Sequence, residues 1–174
     1  MELSPDQKGV ARGMAAGAAA SLAVWAGAVT LLPPPAIADD VAARLGYALP
    51  WQIVPLATLL FGIAWLARYR FFHADAIHGD NPETDKALMA GRAYLENTVE
   101  QVLLAFIAHM VLTVVLPLGW LQVLPALAVW FGFCRILFRA GYRGGAPARA
   151  FGFAGTFYPT VIAIAVAAWF ALAG

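Results

Sequence analysis

Five apolar stretches, each with about the 20 residues that a bilayer crossing requires and the third longer, constrain this chain more than any other feature. They run from about Met14 to Leu32, Tyr47 to Ala67, Lys86 to Leu116, Leu121 to Tyr142 and Ala150 to Ala173. Pro33-Pro-Pro35 stops the first, and Pro117-Leu-Gly-Trp120 turns the third into the fourth. With 62% hydrophobic and only 12% charged residues, the chain cannot cover a soluble globule with polar surface. In hydrocarbon the backbone must bond to itself, and segments of this length do so as helices. The expectation is an all-α integral membrane protein of five crossings. Pro55 inside the second stretch, with Pro50 near its start, should kink it.

The charges orient such a bundle. Lys8 and Arg12 precede the first stretch, while Arg68, Arg70 and Lys86 flank the connection between the second and third. Arg135, Arg139, Arg143 and Arg149 cluster around the connection from fourth to fifth. Alternating crossings put all of these on one side and leave Arg44 opposite, beside Asp39 and Asp40. The positive-inside rule makes the basic side cytoplasmic, with the N-terminus there and the C-terminus outside; a bacterial inner membrane is the expected location. The first stretch has two readings. It is either a retained helix, or a signal segment ending near Ala36-Ile-Ala38. The organisation expected is an extra helix and linker over 1–45, followed by a four-helix membrane domain over 46–174.

The third stretch opens with polar residues where a spanning helix should be apolar: Arg92-Ala-Tyr-Leu-Glu-Asn-Thr-Val-Glu-Gln101. On a helix Glu96 and Glu100 stack on one side, Arg92 lies a turn before them, and Asn97 and Gln101 fill out that side. A charged side chain at the centre of a spanning helix costs about 2.5–3.5 kcal/mol, so this group needs partners. A buried ion-pair network between helices would serve, and so would a functional site. The fourth stretch ends Arg135-Ile-Leu-Phe-Arg139-Ala-Gly-Tyr142, which places Arg135, Arg139 and Tyr142 on one face, with the arginines reaching about the depth of Arg92 and Glu96. Facing acidic and basic stripes would satisfy each other and leave a guanidinium-rich pocket suited to a small anion.

Other chemistries are poorly served. A net charge of +1 without a basic, aromatic-interleaved tract gives no case for nucleic acid. The single Cys134 excludes an intrachain disulfide and a cysteine-built zinc site. His73 and His78 are five apart and do not share a helix face, and His109 stands alone, so no metal is expected. Asn81-Pro-Glu-Thr-Asp85 reads as a turn and an acidic helix start.

Asn97-Thr-Val-Glu-Gln101, together with Arg135, Gly141-Tyr142 and Pro147-Ala-Arg149, resembles the MAPEG family, the membrane-associated proteins of eicosanoid and glutathione metabolism. The resemblance covers about Pro50 to the C-terminus. It implies a left-handed four-helix transmembrane bundle, here with one extra N-terminal helix, assembled as a homotrimer that binds glutathione between protomers on the cytoplasmic side. By match to the family's motif, Asn97 and Glu100 would hold glutathione's polar groups, and Arg135 and Tyr142 would line the site, with Arg92 and Glu96 alongside. Arg149 matches the arginine that stabilises the glutathione thiolate and is the expected catalytic residue. The activity implied is a transferase or peroxidase acting on a lipophilic electrophile from membrane lipid. Ala93, Phe138 and Phe153 depart from the family's pattern toward a more apolar pocket. A non-catalytic scaffold or lipid-binding bundle is the first alternative. A small proton-coupled transporter using Glu96 and Glu100 is the second, though the chain has no internal repeats.

Overall fold

A computed structural model describes residues 2–79 and 85–173. Among them there is no strand; helices account for nearly all of the chain. The first helix, α1 (Pro5–Leu31), begins well before its apolar run. Ser4 and Gln7 form a capping box and Pro5 fills the first helical position, so the polar start is helical too. A short helix, α2 (Val41–Ala48), follows behind the N-cap Asp40, whose carboxylate accepts from Ala43 N–H at 2.9 Å. The linker before the second crossing is therefore partly helical.

Leu49–Gln52 is a 3-10 turn, after which α3 (Ile53–Phe72) carries the chain across. Pro55 thus falls in the first turn of α3, where a missing N–H removes no helical bond. The expected kink is replaced by the 3-10 turn ahead of it. α4 (Lys86–Val115) starts at Asp85, which accepts from the N–H groups of Ala87 and Leu88 at 3.1 and 3.0 Å. The turn expected at Asn81–Thr84 lies outside the described residues. α5 (Val123–Ala140) leads through a 3-10 turn, Gly141–Gly144, into α6 (Gly145–Ala173). Gly145, at φ +78°, makes the reversal that an L side chain would resist.

Four stretches are long and apolar enough to cross a membrane: Pro5–Leu31, Val41–Phe72, Lys86–Val115 and Leu118–Leu172. The last is a hairpin. A Cβ on Gly152 would sit 2.4 Å from Phe138 N, and one on Gly155 would meet Cys134 Sγ, so α5 and α6 run antiparallel in tight contact. α4 runs opposite to α3, with Gly91 against Trp65 at one end and His109 bonded to Gln52 at the other. Direction thus alternates along the chain. The basic residues of α1, α3, α4, α5 and α6 gather at one end of the bundle, as the charge pattern predicts. Arg44 holds the opposite end: it pairs with Asp39 and donates to the carbonyls of Thr113, Val114 and Leu116 at 3.2, 3.2 and 2.8 Å.

α6 is the central helix, packed against α1, α4 and α5. Leu112, Leu116, Leu121, Leu124, Leu127, Ala163 and Ala167 form a buried core in the half nearest Arg44, with Trp25 and Ala28 of α1 closing it. In the other half α1 meets α6 through small residues. A Cβ on Gly9, Gly13 or Gly17 would come within 2.9, 2.8 and 2.6 Å of the Cβ atoms of Pro147, Ala150 and Ala154. Small residues four apart let helix backbones approach closely, which is how membrane helices gain packing energy without a hydrophobic drive.

Candidate functional site

Arg135 is the largest fully buried side chain, at 0% exposure. Its terminal nitrogens donate to Asn97 Oδ1 at 2.9 Å and to Thr98 Oγ1 at 2.7 Å. Thr98 in turn donates to the Tyr94 carbonyl at 2.6 Å, so its hydroxyl is fully directed. The guanidinium lies over Phe138, 4.2 Å from the ring centroid, and 5.2 Å from that of Tyr94. Buried charge away from water is costly unless paired. Here no carboxylate pairs with it among the described residues, where Arg44–Asp39 is the only ion pair. Two charge-assisted hydrogen bonds and two aromatic faces stabilise the cation instead. The Nε hydrogen has no partner among the described residues.

The acidic stripe is not where the helical pattern puts it. Glu96, Glu100 and Arg92 are exposed on the outer side of α4, Asn97 is half-buried and Gln101 is buried. The five residues span an arc rather than sharing one side. α4 packs mainly against α3 and α6, and α5 reaches it through Arg135 and Phe138, which meet Tyr94, Asn97 and Thr98. The amide of Asn97 donates from Nδ2 to Glu100 Oε2 at 3.4 Å while accepting from Arg135. The facing acidic and basic stripes expected from spacing therefore do not meet; Arg135 finds neutral oxygens.

In front of this buried group lies a cavity of about 400 Å³ lined by Asn97, Tyr142 and Arg149 on its polar side. Phe138, Phe153, Ala150, Val10 and Met14 make up most of the rest. Arg149 stacks over Tyr142, 4.7 Å from the ring centroid, so its cation is placed against an aromatic face rather than in open solvent. Gly141 permits that arrangement: a Cβ there would lie 2.6 Å from Ala148 O and 2.7 Å from Arg149 N, so the first turn of α6 closes directly on the 3-10 turn carrying Tyr142. Of the residues singled out in sequence, Asn97, Tyr142 and Arg149 line the cavity together. Arg135 stands behind it, and Arg92, Glu96 and Glu100 face away. Val10 and Met14 were not expected. Their signal was legible, since each follows a glycine of the four-residue Gly9, Gly13, Gly17 spacing.

Elsewhere the described residues contain no cluster of His, Cys, Asp or Glu that could hold a metal. His73 stacks on Tyr69 with ring centroids 3.9 Å apart, and Tyr69 donates its hydroxyl to Asp85. His109 is buried against Gln52, with 3.2 Å between Nδ1 and Oε1. Cys134 is buried.

No family model, curated protein or solved structure matches the chain. Fold and composition define the class by themselves: this is an all-α, multi-pass membrane bundle.

Proposed function

We propose that this protein is a membrane-bound, glutathione-dependent transferase or peroxidase of the MAPEG kind, acting on a lipophilic electrophile drawn from the bilayer. One observation carries the reading. Asn97, Tyr142 and Arg149, brought from α4, the α5–α6 turn and α6, converge on a single cavity whose other walls are apolar. Such a volume, with a few polar groups fixing orientation, is the usual form of a small-molecule site.

In this mechanism Asn97 and Tyr142 bind polar groups of glutathione and Arg149 stabilises the thiolate. A free thiol of pKa about 8.5 is only a few per cent ionised at pH 7, and a desolvated cation beside it favours the ionised form. The thiolate sulfur attacks the electrophilic carbon, forming the C–S bond as the leaving group departs with the bonding pair. With a hydroperoxide, the sulfur instead takes the distal oxygen and releases the alcohol. A second glutathione then closes the disulfide and releases water. Phe138 and Phe153 offer the apolar walls against which the electrophile rests.

The outward charges of α4 extend the proposal. Glu96 and Glu100 lie about 15 and 21 Å along the helix from Lys86, at 1.5 Å per residue, on a face otherwise made of Val99, Leu103 and Phe106. Neighbouring copies in a homotrimer would cover them and bring Glu100 and Arg92 toward glutathione at the protomer boundary. The basic end, with the N-terminus, faces the cytoplasm, where glutathione is available, and the C-terminus lies outside.

The test is the ultraviolet absorbance of the glutathione thiolate with detergent-purified protein, wild type beside Arg149→Ala. A signal present in the wild type and lost in the variant supports the enzyme. No signal at saturating glutathione removes it and leaves a lipid-binding scaffold as the reading to pursue.

A further inference from the structure

The N-terminal helix does more than add a crossing. Gly9, Gly13 and Gly17 bring its backbone against Pro147, Ala150 and Ala154 of α6, with almost no side chain between. That close approach turns the next residues, Val10 and Met14, over the edge of the seam. Both line the cavity that holds Asn97, Tyr142 and Arg149. Across from them stand Phe138 and Phe153. The cavity thus has a cationic, hydrogen-bonding side built from α4, the α5–α6 turn and the start of α6, and an apolar side that α1 completes.

We propose that Val10 and Met14 are specificity-determining residues: they form the wall against which the alkyl or aryl portion of a lipophilic substrate packs while Arg149 holds its anionic partner. The inference rests on the cavity being the ligand site proposed above, and it deepens that reading by assigning the substrate's apolar part to α1. Methionine suits the position because an unbranched, polarizable thioether repacks around differing shapes. Val10 is stiff by comparison and limits the depth. Because α1 is held by backbone-close packing, the wall is fixed in place, and a change of side-chain volume at 14 alters the space available.

The test uses the full-length chain in detergent and the binding of S-methyl-, S-hexyl- and S-decylglutathione. Wild type is compared with Met14→Trp, Met14→Ala and Leu22→Trp, a control on the same helix whose side chain is 58% exposed and points away from the bundle. The expected result is that Met14→Trp weakens the hexyl and decyl compounds about tenfold or more relative to the methyl one, as overfilling a packed site does. Met14→Ala shifts the preference toward the longer chain, and Leu22→Trp keeps the wild-type profile. If Met14→Trp fails to fold, Val10→Phe replaces it with the same expectation. Identical chain-length profiles in all variants overturn the inference. Failure of the wild type to bind S-methylglutathione or to show a thiolate sinks the glutathione reading instead. The same variants are then compared with decanoate, an apolar anion without the tripeptide. Discrimination at position 14 supports the α1 wall, and equal binding by all of them overturns it.

Discussion

Arg135 donates to Oδ1 of Asn97 at 2.9 Å, and that one bond decides which end of the amide is left for other partners. A guanidinium can only donate, so Asn97 must offer it oxygen, and its NH₂ group is turned toward Glu100. The buried arginine acts on the site through the asparagine without touching the cavity itself.

Arg135→Lys should expose that dependence. A lysine ammonium is a point donor and cannot fork to Asn97 and Thr98 in the planar geometry of the arginine. Losing one charge-assisted bond in a buried position costs about 1.5–3 kcal/mol. Thermal unfolding in detergent is the measurement, and a melting temperature equal to that of the wild type would show that the fork contributes nothing.

At the far end, Arg44 caps α4 by donating to two carbonyls of its last turn and to that of the C-cap residue Leu116, and by pairing with Asp39. Its charge also opposes the negative end of the helix dipole. Arg44→Ala should cost about 1–2 kcal/mol and speed amide hydrogen exchange in the last turns of α4 and in α2. Unchanged exchange would contradict the capping role.

The helix seam gives a graded prediction. Gly17→Leu places a side chain where even a Cβ would be 2.6 Å from Ala154 Cβ and 3.0 Å from Phe151 O. The strain, about 1–3 kcal/mol, should loosen α1 and raise its susceptibility to proteolysis. Gly46→Ala, in α2 with nothing within 4 Å, should instead raise stability by roughly 0.5–1 kcal/mol through helix propensity. Equal melting temperatures for the two variants would refute the seam.

Acid should weaken the start of α4. The Leu88 N–H, then the Tyr69 hydroxyl and the Ala87 N–H, hold the Asp85 carboxyl below the usual carboxylate range despite some burial acting the other way; His73 adds a smaller effect. Because the folded value lies below the unfolded one of about 3.9, the capping contribution is complete above that pH and is lost as pH falls through the folded value. Hydrogen exchange in the first turn of α4 should rise on acidification, and Asp85→Asn should flatten that dependence. A wild-type profile as flat as the variant's would argue against the cap.

The sequence alone determined the class of fold and the end at which the basic residues collect. Those follow from apolar length and from charge spacing, which act locally along the chain. It also carried Asn97, Tyr142 and Arg149 as site candidates. What only the tertiary structure decided was which side of each helix faces a neighbour. Spacing puts Glu96 and Glu100 beside Asn97, but α4 turns its Tyr94–Thr98–Gln101 side into the bundle, so the glutamates face outward and Arg135 bonds to an amide and a hydroxyl. The family resemblance likewise makes α1 an addition to four helices, while the Gly9–Gly13–Gly17 seam draws it against α6 and into the wall of the cavity. Helix periodicity records relative angles on one helix; the rotation of that helix against its neighbours is set by the packing of all of them together.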